Sequence, residues 1–183
     1  MGIPPLVLSE GSIRWSVGVM TFVSVGNATQ PFRRLIDKTV ALAPRLPRPV
    51  VVQHGNTSLK GEGYIAQSFM GMEEFGQCMA HAELLILHAG AGSVIHAIQA
   101  GKIPVVMPRL VKYRESIDDH QLEFARALAE SGKIVLVEDP ADLMSAVAEA
   151  LRRQQMAPAM KEMPRMASLI GALLRECVQG LNR

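Results

Sequence analysis

The sequence predicts an α/β fold, a Rossmann-like open parallel sheet flanked by helices. Three observations lead there. Short strand-like runs take turns with amphipathic segments from about residue 17 onward, one run (84–87) is apolar at every position, and glycine-bearing turns join run to helix. A run without polar alternation suits a strand covered on both faces, which is the situation of a central strand in a parallel sheet.

Residues 19–25 read as the first strand. Gly26-Asn27-Ala28-Thr29 then turns the chain into a helix in which Pro31 suits the first turn and Phe32, Leu35, Ile36 and Val40 share a face. Residues 49–53 read as the second strand, followed by a loop over 54–63 rich in Gly, Asn, Thr and Ser, a short strand over 64–69 and a helix over 73–82. The run 84–87 is the central strand, 93–100 is a helix ended by Gly101, and 103–107 is a strand whose Pro104 sits near its entry, where a ladder donor is expendable. A charged loop over 108–117 leads to a helix over 118–130 that Gly132 terminates, and 134–137 is the last strand. Asp139-Pro140 caps a helix reaching Arg153, with Leu143, Met144, Val147 and Leu151 inward.

With 183 residues, 49% of them apolar, the chain can bury one good core. We read an N-terminal extension over 1–17, one domain over 18–155 and a terminal helix over 156–183. In that last segment Met163, Met166, Ile170, Leu173, Cys177 and Leu181 recur three or four residues apart, an apolar stripe that packs on the domain or on a partner.

Bulk composition excludes several classes. The net charge of +2 arises from nearly balanced basic and acidic totals without a basic block, so nucleic acid is not an expected partner. Cys78 and Cys177 each sit in an apolar helical stretch, which fits reduced thiols rather than a disulfide framework. No export signal is visible, since the first basic residue is Arg14 and Pro4-Pro5 interrupt the early apolar run; a cytosolic location is the expectation. The uncharged stretch 84–101 is the longest candidate for a membrane span, but His88, His96, Gln99 and three glycines divide it into strand, turn and helix.

The turns carry the chemistry, because ligands of open parallel sheets sit at the carboxyl ends of the strands. After Leu87 the chain reads His88-Ala89-Gly90-Ala91-Gly92-Ser93 and enters a helix. Glycines let a phosphate approach the backbone, the helix start adds unpaired N–H groups and the positive end of the dipole, and Ser93 and His88 can add side-chain donors. Equally, any α/β protein needs tight turns. Better-known motifs are absent: a dinucleotide fingerprint needs glycine where Ile95 stands and an acidic residue where Met107-Pro108-Arg109 stands, no Walker loop is present, and a serine elbow would need glycines at Ala91 and Ile95. His54, His81, His88, His96 and His120 show no metal-ligand spacing, so neither a metal nor any other cofactor is expected. A second polar stretch runs from Tyr113 to Gln121. There Asp119 and Gln121 can bond sugar hydroxyls and His120 a phosphate or hydroxyl, or Asp118 simply caps a solvated helix.

The succession His-Ala-Gly-Ala-Gly-Ser (88–93), Gly-Lys-Ile-Pro-Val-Val-Met-Pro-Arg (101–109) and Asp-Asp-His-Gln (118–121) resembles the C-terminal, donor-binding domain of GT-B glycosyltransferases of the family 28 type. The likeness runs over about 19–151 and is nearest to two stand-alone soluble subunits. One serves bacterial two-component exopolysaccharide glycosyltransferases; the other is the catalytic subunit adding the second N-acetylglucosamine to a dolichol-linked precursor. The resemblance implies a UDP-sugar donor, with Gly90, Ala91, Gly92 and Ser93 near the diphosphate and His88 beside it. It implies Phe69 and Met70 near the uracil, Asp119, His120 and Gln121 toward the sugar, and the turn Gly26-Asn27 facing the donor cleft. Asp119 and His120 are then the candidates in this chain for the base that deprotonates the acceptor, a base a partner can also supply. The sequence departs from the family at His96, where several members carry an acidic residue that holds the ribose.

Such enzymes face two domains across a cleft, so the resemblance also implies a separate membrane-attached acceptor-binding subunit, a lipid-linked sugar acceptor and a peripheral place at the cytosolic membrane face. Two rival expectations remain: a non-catalytic nucleotide-binding scaffold subunit, and an epimerase or hydrolase of UDP-sugars.

Overall fold

The computed structural model describes residues 8–9, 12–13 and 20–156. The predicted terminal helix, its apolar stripe and Cys177 lie outside the described residues. Within the expected N-terminal extension, Leu8–Ser9 (β1) and Ser12–Ile13 (β2) pair antiparallel, with Leu8 opposite Ile13.

Six strands build the main sheet: Thr21–Ser24 (β3), Val50–Gln53 (β4), Ile65–Gln67 (β5), Leu84–His88 (β6), Val105–Met107 (β7) and Val135–Leu136 (β8). They pair in the order β5-β4-β3-β6-β7-β8, and every pairing is parallel. The helices are Arg33–Leu42 (α1), Met72–His81 (α2), Ala91–Gln99 (α3), His120–Glu130 (α4) and Leu143–Met156 (α5).

Strand side chains alternate between two apolar layers. Val50, Val52, Leu84, Ile86 and Met107 pack with Leu35 and Ile36 of α1 and Leu143 and Val147 of α5. Their neighbours Phe22, Val51, Leu85 and Leu87 meet Cys78 and Met79 of α2 and Ala97 of α3. Val106 closes the same side against Val94 and Ile98 of α3 and Ala125 and Leu128 of α4. Both faces are therefore covered, which is why 84–87 tolerates no polar residue.

The strand order fixes where a ligand can sit. From β3 the chain moves outward through β4 and β5, then returns to place β6 on the other flank of β3 and continues to β7 and β8. The connections leaving β3 and β6 part in opposite directions, opening a crevice at the carboxyl ends of these two central strands.

Several boundaries differ from the sequence expectation. Pro31 lies outside α1, because the Phe32 N–H donates to Thr57 Oγ1 at 2.8 Å and Phe32 keeps a non-helical backbone before Arg33 opens the helix. Asp118 does not cap a helix starting at 118. Its Oδ1 accepts from the His120 N–H at 3.3 Å, Asp119 Oδ1 accepts from the Val111 N–H at 3.0 Å, and α4 starts at His120. Asp139 does accept from the Ala141 N–H at 2.8 Å, but the turn it caps, Pro140–Asp142, is a 3-10 turn that leads into α5. The stretch 84–101 resolves into β6, a turn and α3, and among the described residues no helix is long and apolar enough to cross a membrane.

Burial beside Glu74 pushes the Cys78 thiol up to about 12, so little nucleophilic thiolate forms. Cys78 is expected to stay unmodified by iodoacetamide in the folded protein near neutral pH and to react once denaturant is added; peptide mass mapping checks this, and labelling in the native state would contradict it.

Candidate functional site

Two glycine turns and one imidazole form the centre of the crevice. The first turn follows β3, where Gly26 takes φ +73°, a left-handed conformation that favours glycine. A network below it is uncharged: Ser24 Oγ donates to Gln53 Oε1, Gln53 Nε2 donates to Asn27 Oδ1 at 3.3 Å, and the Gly26 N–H donates to Ser24 Oγ at 3.2 Å. Gln53 is buried at the end of β4, and this network ties the first turn to the neighbouring strand.

His88 ends β6 between the two turns. A side chain at either Gly26 or Gly90 would run into its ring, so both glycines make room for one imidazole. Gly90 itself has φ −75°, hence at that position space rather than backbone freedom demands glycine. The ring accepts no charge easily. Burial and then the nearby Arg109 charge push His88 down to about 4 from an ordinary 6.5.

The second turn feeds α3, which starts at Ala91, two residues earlier than the sequence predicts. Gly90 is the residue before the helix, no side chain caps it, and the first intrahelical bond is Val94 N–H to Gly90 O at 3.0 Å. The N–H groups of Ala91, Gly92 and Ser93 are therefore without helical acceptors. A Cβ added at Gly92 would meet nothing within 4 Å among the described residues outside its own turn of helix, so no packing contact among them requires glycine there.

A cavity of about 360 Å³ lies over these groups. Gly26, Asn27 and Gln53 line one side, His88 through Ser93 except Ala89 form its base, and Met70, Met72, Phe75 and His96 form an apolar and aromatic wall. His96 is exposed on α3, with its ring 6.4 Å from that of Phe75. A second cavity of about 330 Å³ lies across the glycine turn, lined by Ala89, Gly90 and Ala91 and by His120, Gln121, Glu123 and Phe124. Gly90 and Ala91 belong to both walls, so the start of α3 is the ridge between two hollows.

The sequence-nominated residues thus fall into two sets. Gly26, Asn27, Met70, His88, Gly90, Ala91, Gly92 and Ser93 line the first cavity; His120 and Gln121 join Gly90 and Ala91 at the second. Phe69 is half-exposed and outside both walls. Asp119 also lies outside both, with Oδ1 on the Val111 N–H. Among the described residues no group of three His, Cys, Asp or Glu could hold a metal ion.

Sequence reasoning missed the residue that braces the crevice from beneath. Arg109 is 1% exposed and donates from Nη2 to Val25 O at 2.8 Å and from Nη1 to Gln30 O at 2.8 Å and Glu115 O at 3.1 Å. Its guanidinium lies 4.7 Å from the Phe32 ring centroid, and its own N–H donates to Gln121 Oε1 at 3.2 Å. Buried Glu115 takes a forked bond from Arg34, with Nη2 to Oε2 at 2.7 Å and Nε to Oε1 at 2.9 Å. Arg109 therefore ties the turn after β3 to the loop before α4, and Arg34 with Glu115 fixes that loop.

A six-stranded parallel sheet with its crevice at the β3/β6 switch defines a Rossmann-like open α/β domain, the architecture of one half of the GT-B fold, and its structural neighbours are glycosyltransferases. The chain belongs to the glycosyltransferase family 28 C-terminal domain family, matched over residues 20–172. It is 27% identical over 175 residues to the UDP-N-acetylglucosamine--N-acetylmuramyl-(pentapeptide) pyrophosphoryl-undecaprenol N-acetylglucosamine transferase of Cupriavidus pinatubonensis, covering 87% of this chain and 47% of that protein. A shorter stretch of 50 residues is 46% identical to the UDP-N-acetylglucosamine transferase subunit ALG13 of Yarrowia lipolytica, 27% of this chain and 24% of that one. The chain thus spans about half the length, or less, of these curated relatives. In fold it is similar to the glycotransferase of kitacinnamycin, with TM-score 0.58 and 18% identity over 98% of this chain and 44% of that one. The solution structure of ALG13 is similar too, with TM-score 0.52 and 17% identity over 84% and 95% of the two chains.

Two outcomes follow from this geometry. Gly26→Ala is expected to destabilise the protein by roughly 2 kcal/mol or more, from left-handed strain and collision with His88, while Gly92→Ala shifts stability by less than about 1 kcal/mol; urea unfolding measures both. Because His88 binds its proton less readily folded than unfolded, its contribution is complete above about pH 6.5 and is lost as pH falls from there towards about 4. His88→Gln is expected to flatten that part of the stability profile, as followed by thermal unfolding across pH.

Proposed function

We propose that this chain is the donor-binding domain of a UDP-sugar glycosyltransferase that acts on a lipid-linked acceptor in polysaccharide or glycan biosynthesis. The observation that carries the reading is the ridge at α3: three N–H groups without helical acceptors, beneath a glycine no protein contact requires, separating two hollows. A nucleotide sugar has that shape, two neutral ends joined by a dianionic diphosphate. The uridine lies in the first cavity beside Met70, Phe75 and His96, the diphosphate lies over Gly90 to Ser93, and the sugar lies in the second cavity near His120 and Gln121. The names of the relatives support N-acetylglucosamine as the sugar and a polyprenyl-linked glycan as the acceptor.

The reaction is direct displacement with inversion. An acceptor hydroxyl oxygen bonds the anomeric carbon as the bond from that carbon to the β-phosphate oxygen breaks, and UDP leaves with the electron pair. Negative charge growing on the diphosphate is met by the amides and dipole of α3, which are already in place and need no resident cation. The hydroxyl proton passes to a base. His120, on the wall of the second cavity, is better placed for this than Asp119, whose Oδ1 is engaged by Val111. A membrane-attached partner subunit completes the cleft and brings the acceptor, and can supply the base itself.

Calorimetry tests the reading. The purified chain is expected to bind UDP and UDP-N-acetylglucosamine, Gly92→Asp is expected to weaken both at least tenfold by placing a carboxylate against the diphosphate while the protein stays folded, and transfer is expected only when the partner-containing membrane fraction is added. Binding of NAD without binding of UDP would overturn the proposal. Sugar released or inverted by the pure chain, followed by mass spectrometry, would assign it to hydrolases or epimerases instead.

A further inference from the structure

The end of β3 orients the ring of His88. Its Nδ1 lies 3.4 Å from the Ser24 carbonyl oxygen, and a carbonyl only accepts, so Nδ1 carries the hydrogen. The neutral ring then has a bare lone pair at Nε2. That atom is the part of the ring nearest to where a side chain at Gly26 or Gly90 would begin, so it lies between the two glycines that line the first cavity. Among the described residues Nε2 has no hydrogen-bond partner.

An acceptor atom therefore waits where a diphosphate would bring further acceptors. Lone pair facing lone pair repels, and only a proton on Nε2 turns the contact into a charge-assisted bond. We propose that His88 holds the donor diphosphate as an imidazolium, taking one proton from solvent as the nucleotide sugar binds and returning it when the nucleotide leaves. The inference rests on the diphosphate reading of the same site.

The surrounding groups decide the balance. Burial opposes protonation, as does the Arg109 charge from the loop after β7, and together they hold the ring neutral in the free protein near neutral pH. Among the described residues, β3, the turn after it and β4 bring uncharged Ser24, Asn27 and Gln53. On α3, Ser93 is neutral and the imidazole of His96 lines the same cavity; on α2, the acidic groups are Glu73 and Glu74, the latter engaged by Gln67 at 3.0 Å. Among the described residues no carboxylate lines the cavity, so the ligand's own charge is what can draw the proton in. An opposite charge at contact distance raises a pKa by about 1–3 units. Donor affinity is thus tied to pH through a group that is silent until the donor arrives.

UDP-N-acetylglucosamine is the suitable probe, because its pyrophosphate is esterified at both ends and keeps its charge between about pH 5 and pH 8, unlike the terminal phosphate of UDP, whose second ionisation falls near neutrality as in other phosphate monoesters. Calorimetry in buffers of different ionisation enthalpy is expected to register proton uptake on binding near pH 5.5. Affinity is expected to be about tenfold tighter near pH 5 than near pH 8, a difference that His88→Gln abolishes and His96→Gln leaves in place. Should His88→Gln fail to fold, the wild-type protein suffices: the NMR titration midpoint of the His88 Cε1–H signal is expected to rise by at least one pH unit with the probe bound. Binding with neither proton uptake nor a moved midpoint would overturn this proposal and leave the donor reading standing. Absence of binding at every pH would overturn both.

Discussion

A helix that begins without a cap leaves dipoles that the fold does not satisfy, and the crevice of this protein is organised around one such beginning. At α3 the N–H groups of Ala91, Gly92 and Ser93 have no carbonyl behind them, and the residue before the helix is a glycine with no side chain to reach back. In a closed core that arrangement would cost several kcal/mol of unmade hydrogen bonds. Here it is tolerated because the groups open to a cavity on each side. Among the described residues no acceptor meets them, and an anion would satisfy them better than water because three partial positive charges converge.

Keeping that start open requires the rest of the crevice to be rigid without filling it. Gly26 and Gly90 give up their side chains to His88, so the imidazole rather than two methyl groups occupies the space between the turns. Arg109 does the bracing from below, where its guanidinium bonds carbonyls on both the β3 turn and the loop before α4 and takes little volume in the cavities. Burying a guanidinium is costly, and its Nε has no partner among the described residues. The three carbonyl bonds, the Phe32 ring and the neighbouring Glu115 offset that cost. Arg34 in turn neutralises Glu115 with a bidentate bond. The cations Arg34 and Arg109 beneath the crevice are thus committed to the scaffold, and the start of α3 opens into the cavity above them.

How much of this could be read in the sequence follows from the range of the interactions. Residues 84–87 announce a doubly covered strand by their own composition, and the glycines at 90 and 92 announce a turn into a helix. Both signals are local, and both survive in β6 and α3. The boundaries shifted wherever a distant group captured a backbone donor, as Thr57 does at Phe32 and Asp119 does at Val111. The bracing role of Arg109 was invisible for the same reason. In the sequence it follows a strand and a proline like any surface arginine, and its partners Val25 and Gln30 lie 84 and 79 residues away. The division of the site into two hollows is a property of α3 crossing between α2 and α4, which no spacing of residues records. Family resemblance supplied the expectation of a nucleotide sugar; the sheet order supplied the place.

The central claim is that a diphosphate sits on the first turn of α3. Amide spectra of the labelled protein titrated with UDP-N-acetylglucosamine address it most directly. The account expects the largest saturable shifts at the N–H signals of Ala91, Gly92 and Ser93, with smaller ones on both flanks at Asn27 and Gln121. Saturable shifts confined to other elements, with those three amides unmoved, would contradict it.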